Sequence, residues 1–328
     1  MAKCLVCILA QVRAHRLTWS SFKTNVLDQL KADLALCVSK KQNESGLRDN
    51  EFYKNAKYTW EYEEPRDYGD AYDYVKKKLG SAEDWRILLK IKDQWLGGIL
   101  GEEPQGGSAG ILIFYRWLLN QKLVEEGLVE KYDRFIITRA DYLYCAPHPP
   151  LDLLAPEYIW MPEGEQYQRY TDRHVVANSK EIIKCINLMD DIILTPKKLY
   201  RSMMFFDKWN LETFIARHFK KNKLDQKVKI FPPVMFTVRE KSGKTRWKKG
   251  IYNSELGCYV KYKGEFDKSY KKYCRIIKDN KDWGKILEKY NTTPQKTLMD
   301  FFFFKVIFHF IKETIKKLPL KVYAKERK

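Results

Sequence analysis

The sequence predicts an α/β fold with a mostly parallel central sheet flanked by helices. Two apolar runs, 4–12 and 34–38, enclose a segment at 19–32 whose apolar residues recur at helical spacing. The order strand, helix, strand predicts a right-handed parallel crossover. A third apolar run, 135–138, lacks the alternation of a half-exposed strand. We therefore expect this run to be a central strand that is covered on both faces.

The remaining elements are predicted from the same patterns, taken along the chain. Thr18 or Ser20 can cap the first helix, Ser108 can cap the long helix at about 109–126, and Gly127 can end it. Further helices are predicted at about 180–189, 196–207 and 211–220. Short strands are predicted at 58–62, 158–160 and 175–176, and a strand broken by two prolines at 228–240.

Positive charge is concentrated in the last third of the chain. The formal net charge is +19; residues 1–219 hold 31 Lys+Arg and 31 Asp+Glu, whereas residues 220–328 hold 30 against 11. This asymmetry predicts an anionic partner for that part, such as a phosphorylated substrate, nucleic acid or an anionic membrane surface. P-loop, HExxH and GxGxxG motifs are absent.

The seven cysteines are scattered along the sequence. Cys4 and Cys7 form a CxxC pattern inside the first strand, where they would point to opposite faces, so we expect small core residues rather than a zinc site or a redox pair. Reduced cysteines are typical of a cytoplasmic compartment. The apolar start lacks a signal-peptide cleavage pattern, and no stretch reaches the ~20 apolar residues of a spanning helix.

Charged side chains follow two of the predicted strands. Asp141 comes just after the run 135–138, next to Arg139. A carboxylate there is costly unless it meets a metal, a cation or solvent, and the carboxyl ends of strands in open sheets are ligand sites. The alternative is a surface loop in which Asp141 pairs with Arg139. Arg13 and Arg16, after the first strand, are candidates for nucleotide phosphates, or else ordinary solvated arginines.

The stretch Tyr132-Asp-Arg-Phe-Ile-Ile-Thr-Arg-Ala-Asp141, followed by Tyr158-Ile-Trp-Met-Pro162 and Thr171-Asp-Arg173, resembles bacterial and viral sugar transferases of the GT-A type. These enzymes serve capsule, lipopolysaccharide and surface-glycan synthesis. The resemblance spans about residues 3–240 and is specific around 132–176. It implies a GT-A-like fold and a nucleotide-sugar-dependent glycosyltransferase. The domain would be residues 1–240, with a nucleotide-sugar half at about 1–145 and an acceptor half at about 146–240.

The same resemblance implies roles for individual residues. The GT-A signature is an Asp-x-Asp motif that holds Mn²⁺ or Mg²⁺ on the donor diphosphate. This sequence has only Asp141 at that position, so Asp141 is the predicted metal ligand, and Arg139 could take over phosphate charge. Arg13, Arg16, Arg139, Asp141 and Arg173 are the predicted nucleotide-sugar contacts.

An inverting transferase also needs a carboxylate base for the acceptor hydroxyl. Glu212 resembles the helix-borne acid of such folds, and Asp172 is the alternative. The simpler interpretations are a helix N-terminal acid for Glu212 and a partner of Arg173, or a helix cap, for Asp172. His148 and His174 are expected to be structural or surface residues.

Residues 241–328 are predicted to form a basic, aromatic, helical extension. Within it, 301–328 could lie on an anionic membrane, or form a terminal helix docked on the core. The predicted function is transfer of a sugar to a glycan or glycolipid in the cytoplasm, with peripheral membrane attachment as an option. The alternative hypothesis is a nucleic-acid-binding protein or nuclease that uses the basic last third. Against it, no binding module is recognisable and carboxylates do not cluster.

Overall fold

The structure is a computed structural model that describes residues 2–40, 49–91, 94–100, 106–163, 170–205, 209–242, 249–275, 277 and 282–290. These residues form an α/β fold with eleven strands. The strands are β1 (Cys4–Ala10), β2 (Asp33–Lys40), β3 (Tyr58–Glu63), β4 (Arg134–Thr138), β5 (Tyr142–Tyr144), β6 (Ile159–Pro162), β7 (Val175–Asn178), β8 (Val228–Phe231), β9 (Met235–Arg239), β10 (Ile251–Asn253) and β11 (Cys258–Val260).

Helices cover the sheet and connect its strands. They are α1 (His15–Phe22), which a π-helical segment continues to Asp28, α2 (Glu51–Asn55), α3 (Tyr68–Lys78), α4 (Ala109–Glu125), α5 (Leu128–Lys131), α6 (Ile182–Ile186), α7 (Met189–Leu194), α8 (Pro196–Met203), α9 (Leu211–Lys221), α10 (Lys263–Phe266) and α11 (Trp283–Tyr290). None of the described helices is long and apolar enough to cross a membrane.

The central sheet has seven strands in the order β3-β2-β1-β4-β7-β6-β8. The strands β3, β2, β1 and β4 are mutually parallel, β7 is antiparallel to β4 and β6, and β6 is parallel to β8. The chain leaves β1 for β2 on one side and reaches β4 on the other. Strand order therefore reverses between β1 and β4, which places a topological switch point at their carboxyl ends.

Both faces of the central sheet are covered, as the apolar runs predict. Along β1, Leu5, Cys7 and Leu9 belong to one core cluster, while Cys4, Val6 and Ile8 belong to the other. Cys4 and Cys7 thus lie on opposite faces of the sheet, as predicted from their spacing in a strand. Burial raises the pKa of both thiols, so they are inert core residues.

A second sheet of four strands, β10-β11-β9-β5, stands beside the first. Its β5 follows β4 after only three residues, and β9 follows β8 after Pro232-Pro233. Strands β10 and β11 lie beyond residue 240, inside the predicted extension, and pair with β9, which lies before it. The chain beyond residue 240 therefore builds part of the same sheet that residues 142–239 begin.

Several local predictions differ from the structure. The first helix begins at His15, and the residue before it, Ala14, has a φ of 55°, so neither Thr18 nor Ser20 caps it. Ser108 precedes α4 without a side-chain cap, whereas Gly127, with a φ of 60°, does end that helix region. Helices α2, α3 and α7 are not predicted; α2 and α7, of five and six residues, are too short to show a helical period.

Two cysteines depart from the predicted reduced state. Cys145, just after β5, and Cys274, in the helical segment after α10, form a disulfide. Free cysteines among the described residues are buried: Cys4, Cys7, Cys37, Cys185 and Cys258. The disulfide ties the segment after residue 240 to the chain that leaves Asp141.

Candidate active site

Charged side chains meet at the edge of the central sheet where β1 and β4 end. Arg13 follows β1, and Arg139 and Asp141 follow β4. Because β7 is antiparallel to β4, with Val175 opposite Ile137, residues that precede β7 lie at the same edge. Asp172 and Arg173 are such residues. The predicted site residues from three distant segments are therefore neighbours at the topological switch point.

The carboxylate of Asp141 is enclosed by three guanidinium groups. Arg139 binds it through two parallel hydrogen bonds, Nε to Oδ1 and Nη2 to Oδ2, both 2.9 Å. Arg239 at the end of β9 donates from Nη1 to Oδ2, and Nη2 of Arg13 lies 3.3 Å from the same oxygen. Burial opposes ionisation of Asp141, which is 2% exposed, but the three arginines outweigh it and hold its pKa well below the ordinary value.

The turn that carries Arg13 has an unusual backbone. Ala10 and Ala14 both lie in the left-handed region, with φ of 70° and 55°. Such conformations cost on the order of 1–3 kcal/mol each in a non-glycine residue and persist where surrounding contacts enforce them. Thr18 supplies one of these contacts, because its Oγ1 donates to the carbonyl of Ala140 at 2.6 Å. Helix α1 is thereby fixed to the loop of Asp141, and Arg13 is held beside it.

A second ion pair joins the same edge to the second sheet. Arg173 donates from Nη1 to Glu265 in α10, and its guanidinium lies 4.2 Å from the centre of the Tyr262 ring. Glu265 also accepts a hydrogen bond from Thr237 of β9 at 3.3 Å. The Arg173 side chain is therefore buried with both a carboxylate and an aromatic face as neighbours.

Glu212 and Asp172, the two predicted catalytic acids, are brought together. Glu212 lies in the first turn of α9, which Asn210 caps by accepting from the backbone N–H of Thr213 at 2.8 Å. Burial and the charge of Asp172 raise the pKa of Glu212 to about 7. Near neutral pH such a carboxyl can either accept or release a proton, as a general base or acid must.

Asp172 is held mainly through its backbone and its neighbour. Arg116, buried in α4, donates from Nη2 to the Asp172 carbonyl. The Asp172 side chain is 8% exposed, and its Oδ1 lies 3.4 Å from Nε of Arg173. No hydrogen bond to that oxygen is made by the described residues. One face of this carboxylate thus has capacity for another donor.

Lys261, which follows β11, completes the cluster. Burial and the positive charges of Arg139, Arg239 and Arg173 lower its pKa to about 7, against an opposing effect of Asp141. The ammonium form of Lys261 is therefore destabilised by surplus positive charge around it. An anion bound here would relieve that repulsion.

The surroundings of Asp141 do not fit the predicted divalent cation. Both carboxylate oxygens already accept from guanidinium groups, and the three arginines would repel Mn²⁺ or Mg²⁺. Within the described ranges, no group of three or more His, Cys, Asp or Glu side chains could hold a metal ion. The three guanidinium groups are hydrogen-bond donors with positive charge, which suits an anion and not a cation.

Arg16 is a predicted phosphate contact that the structure does not bring into the cluster. It is exposed on α1, and no contact between it and Asp141 or Arg139 exists in the described part of the chain. His148 and His174, expected to be structural, are both buried away from solvent and bond to each other. Residues 301–328 lie outside the described residues.

Four residues of the cluster are not found by the sequence analysis: Arg116, Arg239, Lys261 and Glu265. Two of them carry a signal. Arg116 stands alone in the apolar run Ile111–Leu119, and Arg239 ends an apolar strand just as Arg139 follows one. Lys261 and Glu265 lie among many lysines and acids in 249–275, and only the pairing of β11 with β9 brings them to the site.

The chain is similar to the solved structure of mouse Xyloside xylosyltransferase 1 in its apo form. The two share 9% sequence identity with a TM-score of 0.34, over 70% of this chain and 85% of that one. No family model matches the sequence, and no curated protein matches it either.

Proposed function

We propose that the protein is a glycosyltransferase that moves a sugar from a nucleoside-diphosphate sugar to a hydroxyl of a glycan or glycolipid. One observation carries the proposal: a buried cationic cluster and a carboxyl of pKa about 7 meet at the switch point of an α/β sheet. The cluster suits a diphosphate, and the carboxyl suits proton transfer at an acceptor hydroxyl. The resemblance of residues 132–176 to GT-A transferases supports the same reaction.

The reaction uses the two parts of the site differently. The bond between the sugar C1 and the diphosphate oxygen breaks, and the diphosphate leaves with the electron pair. The acceptor oxygen forms the new bond to C1 and loses its proton to the carboxylate of Glu212. Arg13, Arg139 and Arg173 bind the donor and stabilise the charge that develops on the leaving diphosphate. Asp172 raises the pKa of Glu212 and so makes it a stronger base.

The acceptor class and kinship with surface-glycan enzymes are proposed from the sequence resemblance. Contact of residues 301–328 with an anionic membrane would suit a lipid-linked acceptor. A cytoplasmic location stays a prediction.

The test is a panel of nucleotide sugars in a thermal-shift assay, followed by donor hydrolysis and transfer assays with those that bind. Matching nucleoside monophosphates and duplex DNA serve as controls. We expect at least one nucleotide sugar to raise the melting temperature more than its monophosphate does, and to be turned over. The proposal is wrong if no nucleotide sugar binds while DNA stabilises the protein in a salt-sensitive way.

A further inference from the structure

Positive charge is concentrated around Asp141. Three guanidinium groups contact its carboxylate, so these four side chains together carry a formal charge of +2. The side chains of Arg139 and Arg239 are 12% and 6% exposed, and that of Arg13 is 32% exposed. One arginine already neutralises the charge of a carboxylate, so two further cations are brought there at a cost in desolvation.

A buried donor in this cluster is unused. The Nε–H of Arg239 has no hydrogen-bond partner among the described residues, although the side chain is almost wholly buried. Buried donors without partners are rare in folded proteins, and each one suggests a missing ligand or water. Nη1 of Arg239 donates to Asp141 and to the carbonyl of Val238. The Nε–H of the same side chain is therefore left for another acceptor.

The positions of the three arginines match the place where a diphosphate binds in such a sheet. Arg13 and Arg139 follow the two strands that flank the switch point, and Arg239 reaches the same point from the second sheet. Guanidinium forks bind phosphate oxygens in pairs, with planar geometry and with charge that does not titrate. Burial and the neighbouring arginines lower the pKa of Lys261, and a bound anion would offset the repulsion among these positive charges.

We propose that Arg13, Arg139 and Arg239 bind the donor diphosphate directly and supply the charge that a divalent metal supplies in Asp-x-Asp enzymes, while Asp141 is a positioning residue that holds the three guanidinium groups together. This inference rests on the proposed function for the identity of the donor. Asp141 acts through its arginines and does not ligate a metal. Its carboxylate fixes the spacing of the forks, and the Nε–H of Arg239 is left for the ligand.

The first experiment uses the intact chain and two probes, inorganic pyrophosphate and UDP, in titration calorimetry. Each is titrated in the presence of EDTA and again with millimolar Mn²⁺, at low salt. We expect pyrophosphate to bind in EDTA, with a dissociation constant that Mn²⁺ changes by no more than about threefold. Binding that appears only with Mn²⁺, or that EDTA weakens more than tenfold, would overturn the inference.

The second experiment distinguishes a metal ligand from a positioning anion through the sign of an effect. Asp141→Asn removes one negative charge from the cluster but keeps a side-chain oxygen that can accept from the guanidinium groups, so pyrophosphate should bind at least as tightly as it does to the unaltered chain, both in EDTA and with Mn²⁺. Loss of a metal ligand would instead weaken binding in the titration with Mn²⁺. Asp191→Asn is the matched control, because Asp191 is also a buried carboxylate with cationic partners, Arg217 and Lys221.

Arg13→Gln tests the arginines themselves and leaves the smallest buried defect, since Arg13 is the most exposed of the three. We expect pyrophosphate affinity to fall about tenfold or more, the size of a lost charge-assisted contact. Arg239→Lys keeps the charge but removes the fork, and should weaken binding several-fold. Arg217→Gln is the control. Unchanged affinity in both Arg13→Gln and Arg239→Lys, with melting curves that show folded protein, contradicts the proposal.

Failure of this inference and failure of the proposed function give different results. If pyrophosphate binds without metal but no nucleotide sugar is turned over, the arginine site is supported and the glycosyltransferase function is contradicted. If sugar transfer strictly requires Mn²⁺, the glycosyltransferase function is supported and the proposal of a metal-free arginine site is contradicted.

Discussion

The Nε2 atoms of His148 and His174 lie 3.2 Å apart in the core between β4 and β8. Nδ1 of His148 donates to the Pro149 carbonyl at 2.8 Å, so its Nε2 accepts from His174. Nδ1 of His174 then accepts from one of the hydroxyls of Tyr144 and Thr138, which lie 3.2 and 3.1 Å from it and also hydrogen-bond to each other. Every donor has an acceptor only while both rings are neutral. Burial accordingly lowers the pKa of His148 to about 4 and that of His174 well below its ordinary value.

This pair predicts a loss of stability in acid. The unfolded chain takes up protons near pH 6.5, whereas the folded chain does not until about pH 4, so the free energy of unfolding falls as the pH drops through this window. Urea unfolding at pH 7.5, 6 and 4.5 checks it. In the double variant His148→Gln/His174→Gln this part of the slope should vanish, while His15→Gln, at the start of α1, should keep it. An unchanged slope in the double variant contradicts the prediction.

Replacement of Glu212 by Gln is expected to lower the transfer rate about 10²–10⁴-fold, because a general base contributes that much. Donor binding should change little, since the base acts on the acceptor. The matched control is Glu181→Gln, also a buried glutamate, which pairs with Lys227 and Lys184 outside the cluster. A rate within a few-fold of the unaltered enzyme would remove Glu212 from the chemistry.

The pH profile of kcat/KM should be bell-shaped with its maximum near pH 7. Glu212 must be ionised to accept a proton, so the rate rises as the pH increases through its pKa of about 7. Lys261 attracts an anionic donor to the cluster only when it is protonated, so we expect the rate to fall as the pH increases through its own pKa of about 7. Lys261→Arg keeps the charge and should abolish the alkaline decline, and Lys263→Arg, an exposed neighbour, should not. If the rate of the Lys261→Arg variant still falls at alkaline pH, another group causes the decline.

Reduction of the Cys145–Cys274 disulfide should destabilise the protein by about 2–4 kcal/mol, because the bond closes a loop between residues 129 positions apart. Urea unfolding with and without a phosphine reductant measures the difference. Cys274→Ser should unfold like the reduced protein and show no effect of the reductant. A reductant that leaves the urea midpoint of the unaltered chain unchanged would show that the bond adds no stability.

The central sheet could be predicted because its strands are covered on both faces. Two runs, Phe135–Thr138 and the one after Lys3, contain no charged residue, so the local sequence is enough to predict that both strands are buried. Strand ends could be located by the first charge after each run, which gave Arg13, Arg139 and Asp141 together. The helix that carries Glu212 could be located because Asn210 is a recognisable cap, whereas the catalytic role of Glu212 was predicted from the GT-A resemblance.

The rest of the site depends on contacts that local sequence does not encode. Strands β10 and β11 are three residues each, too short for a clear alternation, and their pairing with β9 is long-range. Lys261 and Glu265 enter the site only through that pairing. The number of arginines around Asp141 could not be predicted from the sequence either. A single Asp beside Arg139 is equally compatible with a metal ligand and with an ion pair.

The contribution of the second sheet fixes where the chain can be cut. A fragment that ends at residue 240 would keep Asp141, Arg139 and Glu212, but it would lack β11, the partner of β9. It would also leave the buried Arg173 without the carboxylate of Glu265, and an unpaired buried charge is strongly destabilising. Expression of the first 240 residues alone should therefore give an unstable product. The shortest fragment with an intact site must extend past Cys274, so that the disulfide can form.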